Sequence, residues 1–299
     1  MPGRASGKSP GETRLPVNHS GVGGPARRNI EGMGSMENRW EWLDRELREQ
    51  QGQVSCFLKG LRSGESYSFQ ADAVHSSASV IKIFLMACLF QRAEEGVLRM
   101  DQEIPVRRDL IAPSAGVLSY LRDVERMSLR DLTELMIIVS DNSATNLLLD
   151  QVGFEGINTY LERDLGLKAT RMRRKMMDLD ALARGEDNTT SAAETAEVLE
   201  KIWRGELVSP EASREMLRIL KNQQDGSLIP WYLDDLLEEH TIAHKTGGLT
   251  GVVHDAAVVD GGREPFILCF FGSRVNVPSY GRLMQDAALR VFRHFQEKR

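Results

Sequence analysis

The chain has 299 residues, 41% of them hydrophobic and 27% charged, the balance of an ordinary globular protein with length for one large core or two smaller ones. Its 38 basic and 43 acidic residues leave a net charge of −5 with no strongly basic region, which excludes the electrostatic footprint of a nucleic-acid-binding protein. The three cysteines, Cys56, Cys88 and Cys269, are odd in number, widely spaced and set in apolar runs, so buried free thiols are expected rather than a disulfide framework or a metal set.

Residues 1–35 are rich in Gly, Pro, Arg and Ser, show no periodicity and are expected to be disordered. Arg27-Arg28 lacks the hydrophobic region of a twin-arginine signal, and no segment has the length and apolarity of a signal peptide or membrane anchor. The expected compartment is the cytoplasm for the chain as written, and the periplasm or exterior if the natural start lies elsewhere. Met33 and Met36 precede the first amphipathic stretch and are candidate starts.

Glu37–Gln51 reads as a helix with Trp40, Leu43 and Leu47 on one face. Val54–Leu61 and Tyr67–Gln70 flank Arg62-Ser63-Gly64-Glu65 and read as a hairpin. A helix is expected to open at Ser79, within His75-Ser-Ser-Ala-Ser79-Val-Ile-Lys82, and to stop near Gly96. From Val80 to Phe90 only Lys82 is not apolar. An unpaired buried ammonium costs several kcal/mol, so Lys82 is either paired or used. Ser79, three residues earlier, falls on the same helical face, and a desolvated lysine can take a proton from a neighbouring serine. Ser79 is therefore a candidate nucleophile, although S-x-x-K by itself also fits a serine that only caps a helix.

Residues 101–127 read as loop with one helical piece around Gly116–Arg122. Ser128-Leu-Arg-Asp131 opens a helix to about Val139, and Ala144–Gln151 and Ile157–Arg163 form two more, ended by Gly153 and Gly166. Lys168–Thr190 is polar, and a loop of that length within a domain points to function. Ser191-Ala-Ala-Glu194 and Ser209-Pro210 open further helices. Thr241–Thr246, Gly251–Asp260 and Pro265–Phe271 read as three strands, and Pro278–Gln296 as a closing helix. Strands lie at both chain ends and helices between them. The expected fold is therefore α+β: an antiparallel sheet of about five strands flanked by helices, with an inserted all-α domain. The boundaries place the sheet domain at 36–72 and 220–299 and the all-α domain at 73–219.

Two further motifs bear on Ser79. Ser140-Asp141-Asn142 lies at a corner between helices, and Lys245-Thr246-Gly247-Gly248 closes a strand, where a lysine and a hydroxyl can hold a carboxylate. In this order, S-x-x-K, S-D-N and K-T-G resemble the motif set of class A β-lactamases and the penicillin-binding transpeptidase-like superfamily. The resemblance runs from about Trp40 to the C-terminus. It includes Ser140-Asp-Asn-Ser-Ala-Thr-Asn-Leu-Leu-Leu149, Gly185-Glu-Asp-Asn-Thr-Thr190 and His254-Asp-Ala-Ala-Val258.

The resemblance implies a serine hydrolase that opens β-lactam rings. Ser79 would be acylated, Lys82 would activate it, and Ser140 would pass a proton to the leaving nitrogen. Asn142 would hold the substrate's side-chain amide; Lys245, Thr246 and Gly247 would bind its carboxylate. The N–H groups of Ser79 and Gly248 would form the oxyanion hole. The implied substrate is a small molecule, a β-lactam or D-amino-acyl compound, with no cofactor, metal, nucleic acid or membrane segment, and a monomer is expected. A D-amino-acid peptidase or esterase on the same scaffold, and a penicillin-binding sensor that acylates without turnover, are the alternatives.

One feature departs from that family. Its loop glutamate, within Glu-x-x-Leu-Asn, positions the water that hydrolyses the acyl-enzyme. Here the loop reads Arg171-Met-Arg-Arg-Lys-Met-Met-Asp178, with Arg173 or Arg174 at that place. Asp178, Asp180 and Glu186 are the possible deacylation carboxylates, each also readable as a solvated loop residue. Arg171 and Asp187 are expected to close the loop as an ion pair. His75 and His244, beside the motifs, are read as structural because Lys82 already supplies a base. Slow deacylation is expected.

Overall fold

The structure, a computed structural model, describes residues 39–107, 111–112 and 115–297. The tail 1–35, with its expected disorder and candidate starts, lies outside the described residues, as does the expected helix start at Glu37. In chain order the elements open with α1 (Glu41–Arg48), β1 (Gln53–Gly60), β2 (Ser66–Phe69), β3 (His75–Ser76) and α2 (Ile81–Glu94). There follow β4 (Glu103–Pro105), β5 (Arg126–Ser128), α3 (Leu129–Ile138), α4 (Asn142–Thr159), α5 (Leu179–Ala183) and β6 (Thr189–Thr190). The chain then runs through α6 (Ala192–Arg204), α7 (Pro210–Lys221), β7 (Ile242–Leu249), β8 (Val252–Val259), β9 (Phe266–Ser273) and α8 (Val277–Glu297).

The α+β architecture expected from the sequence is the one observed. The hairpin β1–β2 and the meander β7–β8–β9 join into a five-stranded antiparallel sheet of order β2-β1-β9-β8-β7. Strands β8 and β9 are buried on both faces, which explains their continuous apolar runs. One face packs under α1 and α8 with Trp40, Leu43, Phe270 and Phe295; the other carries α2, α6 and the remaining helices with Ile83, Leu148, Leu199 and Phe271. Helix α2 is buried from Ile81 to Phe90, as a helix apolar all round must be. Ser128, Asp141, Asp178, Ser191 and Ser209 each cap a helix by accepting a backbone N–H, a contact typically worth about 1 kcal/mol. All three cysteines are buried and free. No helix among the described residues is long and apolar enough to cross a membrane.

Several local expectations are corrected. The helix does not open at Ser79: Ala78–Val80 is a 3-10 turn and α2 begins at Ile81. Gly116–Arg122 is turn rather than helix, because its N–H groups are taken by Asp141. The two short helices read at 144–151 and 157–163 belong to one element, α4, kinked where Gly153 leaves helical geometry (φ 69°, ψ 163°), and residues 160–164 follow it as a π-helical turn. The Lys168–Thr190 loop contains α5. Strand β7 runs on through both glycines to Leu249.

Candidate active site

Sheet order places β7 at an edge, with one neighbour, and the segment before α2 lies against it. A Cβ on Gly247 would meet Val80 Cγ2 at 3.1 Å, Ala78 Cβ at 3.3 Å and Ser77 O at 3.3 Å, so glycine lets β7 come this close to the Ser79 turn without pushing it aside. Ala78 has φ 45° and Ser140 φ 55°. Such left-handed backbone in non-glycine residues costs about 1–3 kcal/mol and persists only where its surroundings hold it.

Lys82 is fully buried. Its Nζ donates to Ser140 O at 2.8 Å, and hydrogen bonds join it to Asn142 Oδ1 at 2.9 Å and Ser140 Oγ at 3.0 Å. The lysine of the first motif thus meets the first and third residues of S-D-N around one amine. Among the described residues, no hydrogen bond of Lys82 goes to Ser79. Burial pushes the Lys82 ammonium well below its ordinary range, the neighbouring Lys245 charge pushes the same way, and Asp141 opposes them. The two carbonyl-type oxygens take two N–H bonds from either protonation state. Contact with Ser140 Oγ is satisfied by an ammonium N–H donating or by the hydroxyl donating to a neutral amine. A proton can therefore pass between Lys82 and Ser140 without rearranging the other two bonds.

The corner is held by Asp141, a structural role that sequence reading missed. Its Oδ1 accepts Ala144 N–H at 2.9 Å, and its Oδ2 accepts Val117 and Leu118 N–H at 2.7 Å each. Gly116, at φ 115°, leaves room for that carboxylate: a Cβ there would lie 2.5 Å from Asp141 Cα. A glycine 25 residues ahead of a buried aspartate was the available signal, but its meaning depended on the fold.

On β7, Lys245 is also fully buried, with Nζ donating to Thr246 O at 3.0 Å. Burial lowers its ammonium to about 8, while Asp255 and Asp225 pull it back up. His244 Nδ1 pairs with Asp255 Oδ1 at 3.0 Å, and Ile229 N–H donates to Asp255 Oδ2 at 3.0 Å. His75 lies between Ser55 and Ser273, at 2.8 Å from each. Both histidines are tied into the core.

Ser79, Asn142 and Gly248 line a cleft of about 200 Å³. Arg174, Met176, Met177, Leu179 and Leu182 of the loop line the same cleft. That loop is clamped by side chains that hold backbone. Asn158 brackets the N–H and C=O of Met172, and Asn146 those of Met176. Asn188 Oδ1 accepts Arg173 and Arg174 N–H while its Nδ2 donates to Arg174 O. Glu194 accepts the N–H groups of Lys168, Ala169 and Thr170.

One expectation for this loop is overturned. Its ion pair joins Arg174, not Arg171, to Asp187: both Nε and Nη2 of Arg174 lie 2.9 Å from Asp187 Oδ1. Arg171 instead reaches Glu162 at 3.2 Å and the carbonyls of Leu167 and Thr170. Register explains the change, since the Asn188 clamp turns Arg174 inward and leaves Arg173 exposed. The possible deacylation carboxylates lie on the outside of the loop. Asp178, Asp180 and Glu186 are exposed, and none lines the cleft. Asp178 caps α5 through Ala181 N–H, and Glu186 pairs with Arg184 at 2.9 Å. Of the two arginines read at the glutamate's place, Arg174 lines the cleft, whereas Arg173 is turned to Asp187 O and Thr189 Oγ1.

Comparison with known proteins agrees with this geometry. The chain is 29% identical over 178 residues to a β-lactamase of Rhodobacter capsulatus, a match covering 59% of this chain and 60% of that protein. Among solved structures, PBP-A superposes with a TM-score of 0.78 at 29% identity, over 88% of this chain and 97% of that one. A PBP-A mutant captured as an acyl-enzyme complex with penicillin G gives 0.76. A mutant of an ancestral class A β-lactamase of Gram-negative bacteria shares the fold at 22% identity, with a TM-score of 0.75 over 87% and 99% of the two chains. A family model described as the Beta-lactamase enzyme family matches residues 38–295, so this chain belongs to the β-lactamase enzyme family.

Proposed function

We propose that the protein is a serine hydrolase acylated at Ser79 by β-lactams, with hydrolysis of the acyl-enzyme as its slow step. The observation that carries this reading is Lys82, wholly buried, depressed in pKa and bonded to both Ser140 and Asn142. Ser79 Oγ attacks the lactam carbonyl carbon and gives its proton to neutral Lys82. Lys82 returns that proton through Ser140 Oγ to the ring nitrogen as the C–N bond breaks. The second transfer draws on the bidirectional Lys82–Ser140 contact. The N–H groups of Ser79 and Gly248 receive the oxyanion, each such donor being worth roughly 10²–10³ in rate. Lys245 and Thr246, with Gly247 leaving room beside them, hold the substrate carboxylate, and Asn142 holds the side-chain amide. The loop residues that line the cleft with Ser79 offer methionine, leucine and a paired arginine, which supports a slow second half-reaction.

The same wall favours a second reading, a penicillin-binding protein or D-amino-acyl peptidase that acylates readily and turns β-lactams over poorly. Intact-protein mass spectrometry with penicillin G, followed over time for the wild type and Ser79→Ala, separates these. An adduct of full drug mass that decays slowly and is absent from the variant is expected. No adduct removes the β-lactam reading, and a permanent one moves the assignment to the binding protein.

A further inference from the structure

Among the described residues, Arg174 is the one charged side chain that lines the cleft with Ser79. We propose that it is a specificity-determining residue: its guanidinium binds an anionic group on the substrate's acyl side chain. Acyl donors with a carboxylate beside the side-chain amide are then selected over those with an ammonium there. The inference rests on the proposed acylation of Ser79 and adds to it the charge of the group next to the amide.

A guanidinium carries five N–H donors in a fixed fork. Nε and Nη2 of Arg174 both lie 2.9 Å from Asp187 Oδ1, and Nη1 donates to Lys175 O at 3.3 Å. These contacts engage three N–H groups at most. At least one on Nη1 and one on Nη2 are therefore without a partner among the described residues, a pair that the two oxygens of a carboxylate fit. The side chain is 4% exposed, and a buried donor with no acceptor is costly. Because Arg174 lines the cleft, a bound substrate can supply the acceptor. The residue is also fixed beforehand: Asn188 Oδ1 accepts its backbone N–H at 3.0 Å and Asn188 Nδ2 donates to its C=O at 3.1 Å. Little side-chain freedom is left to lose on binding.

The sign of the preference follows from the rest of the lining. Asp187 is not part of it, and neither is any other carboxylate among the described residues. Asn142 Oδ1 already takes a hydrogen bond from Lys82 Nζ at 2.9 Å. Met176, Met177, Leu179 and Leu182 offer apolar surface to the body of an acyl group. An ammonium placed among these groups loses water and faces a like charge. A carboxylate exchanges its water for charge-assisted N–H bonds. Asn142, assigned to the side-chain amide, lines the same cleft as Arg174, so the carbon next to that amide is where the charge is read.

Three penicillins that differ only at that carbon make the test: penicillin G, its α-carboxy derivative carbenicillin and its α-amino derivative ampicillin. Second-order rate constants for adduct formation are measured by intact-protein mass spectrometry below about pH 7, where the α-amine is protonated. For the wild type, carbenicillin should exceed ampicillin by about ten- to a hundredfold, the usual worth of a hydrogen bond to a charged group, with penicillin G between them. In Arg174→Met/Asp187→Asn, which removes both partners of the ion pair, the ratio should collapse to about one; Arg174→Lys, which keeps the charge without the fork, should retain the order at a smaller ratio. Equal constants for carbenicillin and ampicillin in the wild type overturn the proposal, and so does a ratio that survives in the folded double variant. Should the variants not fold, the wild-type series decides alone. Adducts that form at equal rates remove this inference and leave the proposed function standing, whereas no adduct with any of the three removes both.

Discussion

Replacing Lys82 with methionine separates its structural from its chemical contribution. Methionine nearly conserves volume and shape, and such swaps usually cost less than about 1.5 kcal/mol in packing. Removing the amine leaves Ser140 O and Asn142 Oδ1 without their Lys82 donor, at roughly 1–3 kcal/mol for each oxygen that stays unpaired in the buried site. Against this stands the desolvation of a charged group, several kcal/mol, which the variant never incurs. The two effects are opposite in sign and of similar size, so Lys82→Met should keep its folded structure, with stability within about 3 kcal/mol of the wild type.

Its chemistry should not survive. General-base assistance is typically worth about 10²–10⁴-fold, which is roughly 3–5.5 kcal/mol on the barrier. Thermal denaturation reads the first quantity, and stopped-flow acylation with a chromogenic cephalosporin reads the second. A folded Lys82→Met protein that acylates Ser79 at the wild-type rate would show that the buried amine is a packing element and that another group activates the serine. A cooperative thermal transition within about 3 kcal/mol of the wild type, alongside acylation slowed about 10²-fold or more, is the expected pair of results.

Turnover of the same cephalosporin should show a burst followed by a slow steady state, with Asp178→Asn, Asp180→Asn and Glu186→Gln leaving both phases unchanged; loss of the slow phase alone in one variant would identify that carboxylate as the base. Gly116→Ala should destabilise the S-D-N corner by about 2–5 kcal/mol, combining left-handed strain with the displacement of Asp141 from its two N–H donors, and chemical denaturation measures it. Asp187→Ala leaves the buried Arg174 guanidinium without its carboxylate, a loss of about 3–5 kcal/mol that should appear as rapid exchange at the amides of residues 172–178. Acid should destabilise the fold. His75 and His254 are held below the ordinary histidine value of 6.5, so the unfolded chain binds protons first. The stability they contribute is complete above 6.5 and is lost as pH falls through about 4 and then about 3. At roughly 1.4 kcal/mol per unit, losses of about 3 and 5 kcal/mol follow when each acts alone, and denaturant midpoints between pH 7 and pH 3 test the direction.

The fold was legible in the sequence because its strands and helices carry unambiguous periods. Val252–Val259 and Phe266–Ser273 are apolar on both faces because both faces are covered, and Ser191 and Ser209 cap where a serine precedes a helical run. The catalytic candidates were legible for another reason: burial makes an isolated lysine such as Lys82 conspicuous in an apolar helix. What could not be read was register within the loop. Arg171, Arg173 and Arg174 are equivalent as letters, and only the Asn188 clamp, formed by residues 14 and 15 positions apart, decides which one turns inward to Asp187. Gly116 was likewise invisible as a requirement until Asp141 was seen beneath it. The 3-10 turn at Ala78 escaped because a left-handed alanine is imposed by its neighbours and has no local sequence signature.

The loop's own contacts hold its acidic residues away from the cleft, in keeping with the slow deacylation proposed above. Asp178 is adjacent to Met177, which lines the cleft, yet its Oδ1 is committed to Ala181 N–H at the start of α5. Turning it inward would give up that cap, about 1 kcal/mol, and would have to carry an ionised carboxylate past Met176 and Met177 into an apolar wall, which costs several kcal/mol more. The inward position is already occupied by Arg174, whose charge Asp187 neutralises. A guanidinium holds only donors at neutral pH and takes no proton from water. Asn146 and Asn188 fix backbone and Asp187 fixes the arginine. In the function proposed above, Lys82, neutral again once its proton has gone to the leaving nitrogen, is the group we assign to accept a proton from water, so that one amine serves both half-reactions in turn.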